Sequence, residues 1–367
     1  MNTGIIARTA GLVLAAALAM SLGLGIAPAA RAAPPAQQQA VVQNGTGGPD
    51  VLKLERIPVL APAAGQVLIR IYAAGVNPVD WKARLGTAPG GPRPGRSVPG
   101  SDVAGVVAAL GPGVTGVTVG QSVFCMKGFA PGIHGLNGAY AHYIVVAASD
   151  VVPKPPDLTY AQAAGLGMVG WTGARTMDEA KVHAGERVLI TGIAGGVGSS
   201  AAQIAVARGA QVIGTATARH EAYLHHIGVS EVLDYHNSDW AAKARGMDVV
   251  LDTVGGPTAL AAFGDVRRGG VFITVASTEV EHPQITAAQC VAAGVSCPEA
   301  GPRRRGAMVP IADLLRQVAA LARAGKFTVH VDRSFPLAQA AQAQEYNRAG
   351  HTEGKVILDV TPQANSR

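Results

Sequence analysis

Residues 186–209 read ERVLITGIAGGVGSSAAQIAVARG, and this stretch decides the fold. The apolar run Val188-Leu189-Ile190 meets a glycine-rich turn, which opens into a segment of small residues and good helix formers, 199–208. Strand, tight turn and helix in that order form the first half of a nucleotide-binding βαβ unit. Gly192, Gly195 and Gly198 recur every third residue, with Gly196 and Val197 between them. Glycine lets backbone N–H groups approach a pyrophosphate at a helix N-terminus, where the dipole favours negative charge. The spacing is G-x-x-G-x-x-G rather than G-x-G-x-x-G, so the turn acquires meaning from what surrounds it.

Outward from that turn, strands alternate with helices. Strands are expected at 212–215, 232–233, 249–251 and 271–275, and helices at 199–208, 221–227 and 257–266. This is the pattern of a doubly wound parallel sheet. A helix-rich stretch at 159–180, interrupted by Gly165, Gly167, Gly170 and Gly173, precedes it. A helix at 311–324, a helical 337–348 and a strand at 355–360 follow. Before residue 157 the texture differs: short strands at 67–71, 103–110, 117–124 and 139–146 are separated by Pro/Gly turns, which reads as a small β-barrel-like domain.

Composition limits the function classes. The chain has 367 residues, 48% apolar and 15% charged, which is enough for two domains with real cores. The net charge of +6 is scattered, with local clusters only at Arg93–Arg96 and Arg303–Arg305. Aromatics make up 4%, so the interleaving of a nucleic-acid binder is missing and none is expected as a partner. Residues 1–32 read as a signal peptide: Arg8, an uncharged run, and a small-residue site at Ala30 and Ala32. Export to the periplasm or medium follows if that signal is real, with no membrane attachment after cleavage; an uncleaved anchor, or a mis-assigned start on a cytoplasmic protein, are the other readings. Residues 33–40 are expected to be a flexible leader. Of the three cysteines, Cys290 and Cys297 would stand about 10 Å apart in one continuous helix. Gly294 is expected to end the helix between them, which leaves a disulfide open but not favoured.

Several motifs occur in a fixed order: AGVNPVDWK at 74–82, VPGSDVAGVV at 98–107, GAYAHY at 138–143, the glycine turn, DVVLDTVGG at 248–256 and GKVIL at 354–358. In this order the chain resembles the medium-chain dehydrogenase/reductase superfamily, in its zinc-independent quinone oxidoreductase (zeta-crystallin-like) branch. The resemblance implies an α/β fold with a GroES-like β-rich catalytic domain plus a Rossmann doubly wound parallel sheet. It divides the chain into a GroES-like substrate domain at 41–157, a Rossmann NADPH-binding domain at 158–325, and a return segment at 326–367 that completes the first domain. It also implies a homodimer through the Rossmann sheet edge near 295–298.

Zinc-dependent relatives carry Cys where Asn77 stands and His where Ser101 stands; neither Asn nor Ser is a usual zinc ligand, so no metal is expected. The second strand of the sheet ends in Gly214-Thr215-Ala216-Thr217-Ala218-Arg219, without the acid that would accept from a ribose 2′-hydroxyl. Thr217 and Arg219 suit a 2′-phosphate instead, and Tyr235 matches a family position lining the same pocket. The expected cofactor is therefore NADPH, held by Thr172, Gly192, Gly195, Gly196, Val197, Gly198, Thr217, Arg219, Tyr235 and Val254. By resemblance Asn77 faces the nicotinamide and could bond a carbonyl oxygen gaining charge. Asp80 is the second catalytic candidate, with a helix cap as its alternative role. Thr87-Ala88 stand where enoyl-thioester reductases carry a Tyr proton donor, which favours a free quinone or α,β-unsaturated carbonyl as the small-molecule substrate. An enoyl reductase of polyketide or lipid tailoring and a non-catalytic NADPH-binding crystallin-like protein are the alternatives. His142 replaces an acidic residue usual in the family.

Overall fold

Eleven consecutive residues, Gln66–Val76, alternate with enough apolar character to bury Val67, Ile69 and Ile71 completely, and this strand anchors the first sheet. The structure is a computed structural model that describes residues 33–88, 91, 95–127, 135–276, 285–298 and 309–361. Residues 1–32, read above as a signal peptide, Arg93 and the Arg303–Arg305 cluster lie outside the described residues. The first part runs β1 (Gln37–Asn44), β2 (Leu52–Pro58), β3 (Gln66–Val76), α1 (Pro78–Leu85), β4 (Arg96–Ser97), β5 (Asp102–Leu110), β6 (Ser122–Met126), β7 (Tyr143–Ala147) and β8 (Val152–Pro153). The second runs α2 (Tyr160–Gly165), α3 (Gly167–Glu179), β9 (Arg187–Ile190), α4 (Gly196–Ala207), β10 (Gln211–Thr215), α5 (Glu221–His226), β11 (Glu231–Leu233), α6 (Trp240–Lys243), β12 (Met247–Asp252), α7 (Gly256–Phe263) and β13 (Val266–Thr274). Then come α8 (Ala287–Ala293), α9 (Ile311–Arg323), β14 (Val331–Pro336), α10 (Ala340–Arg348) and β15 (Lys355–Asp359).

One sheet is parallel throughout, in the order β11-β10-β9-β12-β13. Its central strand β9 has Val188, Leu189 and Ile190 fully buried, as a strand covered on both faces requires. The chain leaves β9 toward β10 on one side and returns to β12 on the other. The strand order therefore reverses at β9, and the carboxyl ends of β9 and β12 are where an open α/β sheet of this kind takes its ligand. The other large sheet has the order β14-β15-β3-β5-β6-β8, with β7 also paired to β3. Here β15 lies antiparallel to β3, Val356 opposite Val76, so the last described strand completes the first sheet. Phe124 and Met126 of β6, Trp171 and Met177 of α3, and Val188 and Ile190 of β9 belong to one apolar core, so α3 joins the two sheets.

Two sequence expectations need correction. Residues 37–40 are not a flexible leader: they begin β1, which pairs with β2 from Gln37 opposite Pro58 to Gln43 opposite Leu52. Gln38 accepts from the Tyr143 N–H, and Ala40 is fully buried, so hydrogen bonding and burial outweigh a polar composition. Second, Cys290 and Cys297 form a disulfide, with Cα atoms 6.1 Å apart. The reason is Gly294, which takes the left-handed conformation at the end of α8 and turns the chain back. Ser296 then bonds Gly270 and Phe272, adding a bridge at the β13 edge. Reducing this bridge, or replacing Cys290 with Ser, is expected to cost about 2–3 kcal/mol from loop closure. Urea unfolding with and without a thiol reductant measures it; coincident curves would show that the bridge constrains nothing. Among the described residues no helix is long and apolar enough to cross a membrane.

Candidate cofactor cradle and the buried network beside it

The glycine turn joins β9 to α4 at the strand-order reversal. Gly192 adopts φ of +61°, and a Cβ there would stand 2.7 Å from Thr253 Oγ1 and 2.9 Å from Val254 Cγ2. A Cβ on Gly198 would stand 2.6 Å from the Gly192 carbonyl oxygen, so both positions demand glycine. Gly195 caps α4, and the amides of Gly196, Val197 and Gly198, as its first three residues, have no acceptor within the helix. Three N–H groups at a helix start make an anion site when the flanking strands hold them open. Asp252, fully buried, fixes the facing turn: it accepts from Thr191 and Thr274 hydroxyls and from the Val254 and Gly255 amides. Val254, half exposed, therefore overhangs Gly192.

At the end of β10 the Thr217 hydroxyl is buried and has no hydrogen-bond partner. An unpaired buried hydroxyl costs roughly 1–3 kcal/mol, so a ligand atom that bonded it would recover that cost. Arg219, two residues further along, is exposed, and Tyr235 is exposed at the end of the adjacent β11, tilted against His236. Thr172 lies in α3, nearly buried, one residue from Gly173, which touches Ser200 and Ala201 of α4. The turn, Val254, Thr217, Arg219 and Tyr235 thus belong to turns at the carboxyl ends of β9, β12, β10 and β11; Thr172 packs on α4 from the opposite element.

Asn77 is almost completely buried and both ends of its amide are engaged. Its Nδ2 donates to Asp102 Oδ2 at 2.9 Å, and its Oδ1 accepts from Lys355 Nζ at 2.6 Å. Lys355 also donates to the Val76 carbonyl and lies 3.7 Å from Asp102. Asp102 accepts the Met168 amide through its other oxygen, and Gly167 leaves room for that carboxylate. Burial is the largest influence on both charges: it pushes the Asp102 carboxyl up and the Lys355 ammonium down, and their mutual attraction opposes each shift. The Lys355 stem meanwhile packs against Gly196, and Gly354 bonds Ala194, so this buried pair reaches the cradle itself. A cavity of about 10 Å³ remains between Gly196, Ser200 and Lys355, room for about one water and no more.

Asp80, the second catalytic candidate, is the third residue of α1 and closes a capping box with the N-cap residue Asn77, the alternative role read from the sequence. Its Oδ2 receives the Asn77 N–H and the Tyr140 hydroxyl, each at 2.9 Å, and it is 4% exposed. Burial raises its carboxyl from 3.8 to about 6, against the lowering effect of those two hydrogen bonds. The native state then binds more protons than the unfolded state between those two values. Stability from this group is therefore lost as pH rises through that window. An Asn at position 80 can accept both bonds without ionising. Asp80→Asn is expected to remove that loss and to equal or exceed the wild type in stability at mildly alkaline pH, as read by urea unfolding across pH. A markedly less stable variant there would mean that the ionised carboxylate itself is required.

Sequence reasoning quoted Asp102, Tyr140 and Lys355 within motifs but gave none of them a polar role. The signal was present: a lysine opening the apolar strand KVILD and an aspartate opening DVAGVV. Each is a charge at a core strand, which only a buried partner accommodates.

Residues 63–156 match the family model described as "Alcohol dehydrogenase GroES-like domain", and residues 227–358 match the one described as "Zinc-binding dehydrogenase". The chain is 32% identical over 329 residues to the quinone oxidoreductase of Rattus norvegicus, covering 85% of this chain and 94% of that one. It is 30% identical over 335 residues to the chloroplastic NADPH-dependent alkenal/one oxidoreductase of Arabidopsis thaliana, covering 89% and 81%. Among solved structures, a mycobacterial protein complexed with NADPH superposes with a TM-score of 0.76 at 29% identity, over 88% of this chain and 100% of that one.

Proposed function

The chain belongs to the medium-chain dehydrogenase/reductase superfamily, in its quinone oxidoreductase branch, and from that membership we propose that it reduces quinones or α,β-unsaturated carbonyls with NADPH and without zinc. The observation that carries the cofactor choice is the unpartnered buried hydroxyl of Thr217 beside Arg219, at a strand end with no carboxylate. NADPH, when bound, supplies the hydride, and the protein has to bind, orient and exclude water. The amides of Gly196, Val197 and Gly198, which open α4, would hold the pyrophosphate. Thr217 and Arg219 would hold the 2′-phosphate, with Tyr235 and Val254 on the neighbouring strand ends and Thr172 in α3, which packs on α4. Asn77 retains one Nδ2 hydrogen beyond its bond to Asp102, and this is the donor for a carbonyl oxygen gaining charge. Unchanged turnover in Asn77→Ala would remove it from that role.

Zinc does not fit these residues. The position where relatives carry a cysteine ligand is an amide already bonded to the Lys355 ammonium, and a second cation beside it would meet that charge at close range. Thr87, whose hydroxyl bonds the Lys82 carbonyl, leaves no ionisable donor at the thioester reductases' tyrosine position, so protonation is left to solvent. The test is NADPH oxidation by protein lacking residues 1–32, after exhaustive chelation, against a panel of quinones and a panel of enones. Turnover is expected with at least one panel. Tight NADPH binding with no turnover on either would favour the non-catalytic reading, and activity restored only by added zinc would overturn the metal-free mechanism.

A further inference from the structure

From the turn after α10 into the start of β15, the return segment touches two parts of the cradle and then the buried network beside it. His351 meets the loop after β10, Gly354 meets the glycine turn, and Lys355 meets Asn77. Its contact with the β10 loop is not a generic packing contact. Arg219 Nε donates to His220 Nε2 at 2.9 Å, and Arg219 Nη2 donates to the His351 carbonyl at 2.6 Å. His220, nearly buried, faces Glu353 Oε2 with its Nδ1 at 2.6 Å, and Glu353 Oε1 lies 3.3 Å from His330 Nε2. The donor chemistry fixes the tautomer. A guanidinium can only donate, so His220 Nε2 must accept, and the ring proton sits on Nδ1 and is given to Glu353. Two of the five N–H groups of Arg219 are then committed, and three have no partner among the described residues. His351 reaches this position at φ of +63°, a conformation that non-glycine residues rarely adopt.

We propose that Glu353 and His220 are positioning residues for Arg219, fixing its guanidinium at the loop after β10, two residues from Thr217, so that it selects a 2′-phosphorylated cofactor. The inference rests on the reading of Arg219 as the 2′-phosphate ligand. An exposed arginine at the end of a strand samples many rotamers, and fixing it in advance saves ordering entropy when the anion arrives. The relay fixes it from two sides: the ring pins Nε, the His351 carbonyl pins Nη2, and the remaining N–H groups are left for the phosphate. Specificity for the cofactor in the parallel sheet thus depends on a segment that completes the other sheet.

The experiment measures binding of 2′,5′-ADP and of 5′-AMP by calorimetry, alongside KM and kcat with NADPH and NADH, in Arg219→Ala, His220→Phe and Glu353→Gln. His220→Phe keeps the ring volume and removes both hydrogen bonds. It is expected to weaken 2′,5′-ADP about ten-fold while 5′-AMP changes less than about two-fold, and to raise KM for NADPH with kcat and the NADH constants unchanged. Glu353→Gln retains an acceptor for the ring N–H and should show a smaller change in the same direction, which keeps the test open if the phenylalanine variant does not fold. Equal weakening of both nucleotides, or none, in His220→Phe overturns the relay. If Arg219→Ala itself fails to separate 2′,5′-ADP from 5′-AMP, the assignment of Arg219 falls and the relay falls with it. If it separates them and the His220 and Glu353 variants do not, the relay alone is wrong.

Discussion

Replacing Lys355 with methionine is expected to lower the unfolding free energy by about 3–5 kcal/mol, because it leaves the Asp102 carboxylate buried without its cation. Asp102 is completely buried, and of its remaining partners Asn77 and the Met168 amide are neutral. The same change removes the bonds to Val76 and Asn77, which join β15 to the end of β3. Adding Asp102→Asn to the variant should recover a large part of the loss, since a neutral amide needs no counter-charge. Urea unfolding of the wild type, both single variants and the double variant forms the cycle that isolates the coupling. Additive single effects would show that the two side chains do not act as a pair.

The second large effect is on cofactor choice. Arg219→Ala is expected to weaken NADPH binding by about 10- to 100-fold, the range for one lost charge-assisted phosphate contact, with NADH binding nearly unchanged. Thr217→Val should act in the same direction by a smaller factor, because it removes a neutral hydroxyl whose only role on this account is to meet the ligand. Fluorescence titration with both dinucleotides separates these outcomes. A variant that loses NADPH and NADH together would place Arg219 in the structure of the loop rather than at the phosphate.

The parallel sheet was legible because its strands advertise themselves locally. Val188-Leu189-Ile190 and Val249-Val250-Leu251 are continuous apolar runs beside glycine turns, and β9 and β12 contain them. The hairpin of β1 and β2 was not, because Gln37-Gln38-Gln39 carries no strand signal and is held by a partner strand and by Gln38 bonding residue 143. The disulfide depended on the backbone sign of a single residue, Gly294, which spacing does not encode. In the site, the cradle follows from a short contiguous motif, whereas the Asn77 network joins residues 25 and 278 positions apart. Pairings over such separations are products of the fold, whereas the capping bond of Asp80 to Asn77 spans three residues and is legible from their spacing. The relay from Glu353 to Arg219 was hidden for the same reason, since it is made by the returning chain.

The turn at 192–198, Thr217 and Arg219 are proposed to form together a cradle for NADPH. The most direct measurement is the ratio of dissociation constants for NADPH and NADH on the wild-type protein without residues 1–32, at one fixed ionic strength. NADPH is expected to bind tighter by at least about ten-fold, with the preference shrinking as salt screens the exposed guanidinium. Equal affinity for the two, or tighter NADH, would contradict it.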